Sequence, residues 1–593
     1  MNDYLAYFGN PAGAEKLGDD VLRFGCGTAA LQKLGEPGRV YRDGNLSCIF
    51  SGFIYSYSDS TLPRSCPEEY ILSAYRKYGD DMSSHFEGKF SAAVFDTEKN
   101  CAYFARDHFG GMPLYYSVGD SFILVSGKPS PIANCGLITK EISQTGLCDL
   151  FSLRYIPAPD TIFENIHALT AGHCLKASIT GSRVEVEDRC CWDVDCRSEN
   201  MIRDYDECKK LLREALLQST EACIMPGKNG VFLSGGIDST IVTGVASTLL
   251  GHRMDTFTIG FNEKAIDESD RAEIAAKAHN TDHHLYILDY DDIPGQLDTI
   301  ISGFDQPFAD ASAIPTWIVN CYAAQLGVEN VLTGDGSDQI FAGSSKYSVD
   351  HYVNLLRKFP KPLRSAGKGI VYALPDTSGL SRKMRKVFDC AEMDIYEMRR
   401  RMLQLCLDDE SVFALLKGSV VDKTSDSIAQ YYALNRDITD ELTNTLYVDL
   451  KVVADGGMMS KMGSMSRLAG VNTHIPMMSR EMLELAFRIP PEFKHKGSSG
   501  KVILKEAFSD IIPPELLTAS KKGFGAPVDK WFRGPLLSEL KDALDPGRME
   551  ATGLFDPQFV TQLIDEHLSK SYDRSVPLFA LYVFSKWYQK EFE

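Results

Sequence analysis

Gly230-Val231-Phe232-Leu233-Ser234-Gly235-Gly236-Ile237-Asp238-Ser239-Thr240 reads as a buried strand, a tight polar turn and the start of a helix. Val231, Phe232 and Leu233 supply the strand, and Ile241, Val242, Val245 and Ala246 continue the helix at helical spacing. Gly235 and Gly236 let the backbone approach a ligand closely and turn its N–H groups inward. The helix N-terminus adds partial positive charge, and the hydroxyls of Ser234, Ser239 and Thr240 add donors. Leu233 to Thr240 therefore forms a phosphate cradle. Asp238 is out of place in a purely cationic site. It fits one in which magnesium bridges protein and phosphates, since that ion takes a few carboxylates plus phosphate oxygens. The pattern is not of the Walker type, which ends in Gly-Lys-Ser/Thr.

Strand and helix patterns alternate beyond this loop. A helix over 206–223 leads in, and Met254 to Phe261, Glu268 to His279 and His283 to Leu288 read as strand, helix and strand. Such alternation predicts a parallel sheet covered by helices, with ligands at the C-terminal strand ends. Three segments should meet there: the loop at 234–240, the end of Phe257-Thr258-Ile259-Gly260-Phe261, and Val331-Leu332-Thr333-Gly334-Asp335-Gly336-Ser337-Asp338. Asp335 and Asp338 also suit an ordinary turn. Two such loops on neighbouring strands nevertheless bring Asp238 and Asp338 onto one cation. Residues 346–440 read as helical and carry little chemistry.

The chain has 593 residues, long enough for two to four domains. It is 44% hydrophobic and 24% charged, an ordinary globular balance. A net charge of −19 argues against nucleic-acid and membrane-surface partners, which call for basic patches. The fifteen cysteines lack paired metal spacing, and the adjacent Cys190 and Cys191 suit neither a zinc knuckle nor a ready disulfide. A reducing, cytoplasmic setting is expected, with no signal segment and no apolar run long enough to span a bilayer.

The first 190 residues read as short strands and turns. The apolar runs are Leu46 to Phe50, Gly52 to Tyr57, Phe90 to Asp96, Cys101 to Arg106 and Phe122 to Ser126. One helix is expected over 68–78, and the bland architecture is antiparallel sheet. A polar boundary falls near 193–204.

The phosphate loop resembles the SGGxDS loop of ATP pyrophosphatases, which split ATP between the α and β phosphates. The blocks around Gly52, Phe86 to Asp96 and Ala105 to Tyr116 resemble the N-terminal glutaminase domain of asparagine synthetases. Thr333 to Gly343 is similar to that family's SG(D/E)G(S/G)DE(L/V)FGG motif, with Gln339 and Ala342 as departures. Phe304 to Thr316 follows the family too, with Gln306 for a usual Glu. Lys501-Val502-Ile503-Leu504-Lys505-Glu506 resembles its K-x-x-L-(R/K)-E helix, and Lys521 to Trp531 its next block. The resemblance implies an α+β, glutaminase-like (Ntn-type) antiparallel domain over 1–192. It also implies an α/β, ATP-pyrophosphatase-type domain with a parallel sheet and helices over 205–593. It makes Lys501 the residue that steadies the adenylate and oxyanion, Ile259 a contact for adenine, and Gly334 and Lys522 contacts for ATP. Asp238 and Asp338 are then the magnesium ligands.

Two regions depart from the family. Glutamine hydrolysis there needs an N-terminal cysteine, whereas Asn2 follows Met1 and no cysteine occurs before Cys26. The family's glutamine-holding Asn-Gly-Glu is Ser51-Gly52-Phe53, and an expected aspartate falls near Pro67. The domain is read as catalytically dead, walling the synthetase site. In the block 461–479, family charges have become Gly463, Ser464, Asn472, His474 and Ser479, which suggests that a different acid or acceptor lies nearby. Leu468-Ala469-Gly470 with His474 before Pro476 looks more like β-lactam synthetases, relatives that act in antibiotic biosynthesis. Their Tyr–Glu dyad is not evident, and Asp335 stands at the tyrosine position as a candidate to orient or deprotonate the amine.

The reading is an AMP-forming amide ligase that takes ATP as co-substrate, Mg2+, and a small amino-acid or peptide carboxylate, with room for a homodimer. The amine is internal to the substrate, as in β-lactam synthetases. An ammonia-dependent asparagine synthetase, a lasso-peptide macrolactam cyclase and a non-catalytic scaffold remain alternatives.

Overall fold

The protein is described from a computed structural model. Its described residues are 4–10, 20–23, 28–33, 40–262, 264, 266–289, 293–374, 379–417, 427–434, 438, 440–517 and 525–593.

The N-terminal part is a sandwich of two six-stranded sheets whose neighbouring strands pair antiparallel. Alternating side chains from the inner faces, among them Phe8, Ile49, Phe95, Phe104, Val125 and Leu175, form its interior. The two runs read separately at 46–50 and 52–57 are one strand, Leu46–Tyr57. Gly52 joins them at φ +119, where an added Cβ would lie 2.0 Å from the Lys89 carbonyl oxygen. The expected helix is Pro67–Tyr78, with proline in its first turn, acids at its start and Arg76 and Lys77 at its end. Cys191 stands in a disulfide with Cys174, the Cα atoms 6.2 Å apart. This corrects the reading of unpaired cysteines, because the partner comes from a neighbouring strand 17 residues away rather than from Cys190.

The C-terminal part holds a five-stranded sheet, all parallel where paired. Its central strand is Asn229–Phe232, flanked by Asp255–Phe261 and Asn330–Leu332. The outer strands are Asp282–Leu288 and Asn472–His474, the latter unread from sequence because it spans three residues. Helices Ile237–Leu250 and Ala313–Gln325 belong to this part, so the phosphate loop opens at the C-terminal end of the sheet's middle.

One apolar core runs through both parts and joins Leu5, Tyr7 and Phe151 to Val231, Leu332 and Phe584. Polar contacts reinforce the junction. Arg106 donates to Asp455 at 2.6 and 3.2 Å, with both side chains buried. An added Cβ at Gly110 would lie 2.2 Å from Asp455 Oδ1, so this pair needs glycine there. Lys89 Nζ donates to the Thr473 carbonyl and hydroxyl, and the Tyr55 hydroxyl meets His474 Nδ1 at 2.9 Å.

Candidate active site

The three strand-end loops meet as the sequence requires. The Leu233 N–H continues the sheet by donating to the Phe257 carbonyl at 2.9 Å. The chain then turns through Gly235 at φ +75, where a Cβ would lie 2.5 Å from the Ala272 nitrogen. Ser239 Oγ accepts from the Ser234 N–H at 3.2 Å and lies 3.1 Å from Ser234 Oγ, which tightens the turn. The third loop packs directly on the first. A Cβ on Gly334 would stand 2.6 Å from the Ser239 nitrogen, so only glycine permits this approach.

The central feature is an ion triad. Lys501 Nζ lies 2.5 Å from Asp238 Oδ2 and 2.5 Å from Asp338 Oδ1. Asp238 also accepts from the Ser337 hydroxyl at 2.5 Å. Lys501 is the N-cap of helix Val502–Ala507, at φ +56, with its N–H on the Phe341 carbonyl. Burial works against its charge, but the two aspartates hold the ammonium above its usual range.

Among the described residues no group of three or more His, Cys, Asp or Glu side chains gathers as a metal site. Two carboxylates converging on one cation nevertheless match what Mg2+ takes from protein when phosphates supply the rest. Asp238 and Asp338 would hold that ion, whose chemistry is to neutralise the leaving pyrophosphate.

A cavity of about 320 Å³ opens beside the triad. Leu233, Ser234, Asp238, Ser239, Ile259, Gly334, Asp335 and Asp338 line it, so eight of the residues singled out from sequence share one wall. Gly235 and Gly236 shape the turn without lining the cavity. Thr240 is fully buried, its hydroxyl donating to the Gly236 carbonyl at 2.8 Å, so it serves the helix rather than a ligand. Lys522 lies outside the described residues.

Several lining residues were missed. Phe257, Phe261 and Ile266 add an apolar portion to its lining. Thr316 and Val319 on helix Ala313–Gln325 line it too, with Met458 from the π-helical stretch Leu450–Met459 and Lys461 and Met462 from helix Ser460–Ala469. The signal for the last two lay in the block that departs from the family, but at other positions. Gly463, Ser464, Asn472, His474 and Ser479 do not line this cavity. Ser479 caps helix Arg480–Arg488, and Asn472 donates to Asn330 at 3.4 Å. His474 is fully buried against Phe53, ring centroids 5.0 Å apart, and burial pushes its pKa down to about 3. Of these altered positions, Gly463, Ser464 and His474 lie at the junction between the two parts, while Asn472 and Ser479 make contacts within the C-terminal part.

Helix Ser460–Ala469, entered through the π-helical stretch Leu450–Met459, is a partition. Met458, Lys461 and Met462 face the cavity beside the triad. Met459, Ser460, Gly463, Ser464 and Arg467 face a second cavity of about 50 Å³ at the junction, with Arg106 and Lys128 across it. Nearby, Asp449 accepts from the Tyr347 hydroxyl at 2.5 Å and pairs with Lys346 at 2.7 Å, a buried cluster that sequence reading did not single out.

A parallel sheet with a phosphate loop and paired acids, joined to an antiparallel sandwich, defines an ATP-dependent ligase coupled to an Ntn-type amidotransferase fold. The chain belongs to the asparagine synthase family, whose match covers residues 211–589, and the glutamine amidotransferase domain matches residues 33–186. It is 23% identical to the glutamine-hydrolyzing asparagine synthetase 1 of Bacillus subtilis, over 100% of this chain and 93% of that one. It is 26% identical to a putative glutamine-hydrolyzing asparagine synthetase of Mycobacterium bovis, over 91% and 84% of the two chains. It is also 22% identical to amidase chyE of Penicillium rubens, over 93% and 88%. The protein is thus an ATP-dependent carbon–nitrogen ligase that forms AMP and pyrophosphate.

Proposed function

We propose that this ligase adenylates a carboxylate and joins it to an amine without hydrolysing glutamine, the amine belonging to the substrate itself. The carrying observation is the contrast between the two halves. The synthetase triad Asp238–Lys501–Asp338 is assembled, whereas the glutamine-holding Glu of the resembled family is replaced by Phe53, whose ring is packed on His474.

The substrate carboxylate attacks the α-phosphorus of ATP and pyrophosphate leaves. The N–H groups and hydroxyls of 234–239 bind its oxygens as charge builds. Lys501 then steadies the oxyanion formed when the amine attacks the acyl-adenylate, which collapses to the amide as its C–O bond to AMP breaks and AMP leaves. Asp335, which lines the same cavity, accepts a proton from the amine. A cytoplasmic enzyme acting on an amino or peptide carboxylate follows from this reading, and a β-lactam-type product is its most specific form.

The test supplies ATP, magnesium and glutamine, then ammonium and aspartate, then amino diacids and peptides. Glutamate release should stay at background throughout, while AMP should form only with an acid that loses water. Glutamate released in step with AMP would overturn the reading. Asparagine formed from ammonium would replace the internal amine with free ammonia.

A further inference from the structure

The net charge of −19 conceals a strong segregation. Between residues 357 and 386 stand nine Lys and Arg against a single acid, Asp376. The same region carries the largest group of exposed apolar side chains in the described structure. On helix Val349–Arg357, Val353 is buried while Tyr352 and Leu355 are about half exposed, followed by Phe359. Helix Lys361–Ala373 is more extreme. Its one buried residue is Val371, and its apolar stripe points outward, with Leu363 at 61% and Ile370 at 69% exposure. Ala366 and Leu374 extend that stripe at helical spacing, and both are exposed. The helix is held beside the stripe, where Gly367 lies against the Phe388 ring, and on its far side, where Lys368 pairs with Asp389 at 2.8 Å. Arg364 is likewise tied to Glu392 at 2.9 Å, while Lys358, Lys361 and Lys383 stand exposed around the stripe.

We propose that helices Val349–Arg357 and Lys361–Ala373 form a docking surface for an anionic lipid bilayer, lying in its interface rather than crossing it. Leu363 and Ile370 enter the acyl boundary, and Lys358, Lys361 and Lys383 meet the anionic headgroups. Charge selects this occupant. A second copy using the same face would set the exposed Lys358, Lys361 and Lys383 against their own counterparts. A nucleic acid would use the cations but leave the Leu363–Ile370 stripe in water. Among the described residues no helix is long and apolar enough to cross a membrane.

The test uses the full chain with vesicles of phosphatidylcholine alone or with about a third phosphatidylglycerol, read by co-sedimentation. Binding should be at least about tenfold tighter to the anionic vesicles and should weaken as salt rises. Leu363→Asp with Ile370→Asp should abolish it, and Lys358→Glu with Lys361→Glu should weaken it. These positions are exposed, and unchanged circular dichroism and melting temperature verify that each variant is folded. Failure of the wild-type chain to bind anionic vesicles overturns the proposal. So does binding that the two aspartates leave intact, or a dimer in solution that Ile370→Asp dissociates while vesicles remain unbound. None of these outcomes bears on the ligase reading.

Discussion

Lys501→Met removes the cation between Asp238 and Asp338 and keeps the length of the side chain. The ammonium lies 2.5 Å from each carboxylate, and the three side chains are exposed by only 8, 17 and 19%. Deleting one partner of a buried ion pair costs roughly 3–5 kcal/mol, because the remaining charge is left uncompensated. Here two like charges remain, so one aspartate should stay protonated well above its ordinary range. A carboxyl whose folded pKa is raised gains stability as pH falls. The deficit of the variant should therefore be largest near pH 8 and shrink toward pH 5. The wild-type lysine, held above its usual range, keeps its contribution below the unfolded value and loses it only in strong alkali. A divalent cation can replace the lost ammonium. Titrating Mg2+ without ATP should stabilise Lys501→Met by about 1.4 kcal/mol at ten times the dissociation constant, seen as a higher melting temperature, and leave the wild type nearly unmoved. AMP formation should fall about 10²- to 10³-fold. A variant as stable as the wild type and indifferent to Mg2+ would refute the triad as a cation site.

Gly334→Ala would push a methyl group into the Ser239 nitrogen 2.6 Å away, separating the two loops, and ATP affinity by calorimetry should drop at least about tenfold. Arg106→Met strands the buried Asp455 and should lower stability by roughly 3–5 kcal/mol in urea unfolding, with Arg106→Met plus Asp455→Leu recovering much of it. Burial holds His474 and His108 neutral down to about pH 3, whereas the unfolded chain protonates both near pH 6.5. Stability should thus be full above pH 6.5 and decline below it, by about 2 kcal/mol per histidine at pH 5, and His474→Gln should flatten the profile. Met462→Ala widens the cavity wall and should change the KM for the carboxylate more than the KM for ATP, as steady-state kinetics would show.

The parallel sheet and its loops were legible because the information is local. A strand, two glycines and a helix start fix the course of the chain at Leu233 to Ser239, and acids at fixed offsets mark the cation site. The meeting of Lys501 with Asp238 spans 263 residues and was reachable only through the family motif. What the sequence concealed is of another kind. Met458 and Lys461 reach the cavity beside the triad while Gly463 and Ser464 face away, and this depends on the rotation of one helix against its neighbours. The surroundings of His474 were hidden for a related reason: its partners Phe53 and Tyr55 lie more than 400 residues earlier, in the other part of the chain. The Cys174–Cys191 pairing was hidden because register between strands, not spacing along the chain, sets it.

The partition helix Ser460–Ala469 imposes a rule on how this enzyme can diversify. Its two sides serve separate compartments, and each residue turns the helix by about 100°. Inserting or deleting one residue would carry Met462 and Lys461 toward the junction and bring Gly463 or Arg467 round to the nucleotide. Both compartments would be rebuilt at once. Substitution within one face leaves the other untouched. Changes in acid preference are thus free to accumulate at Met458 and Met462 while the side toward the sandwich drifts independently. The wide π turns of Leu450–Met459 offer the one neighbouring place where a change in length could be absorbed before the helix begins.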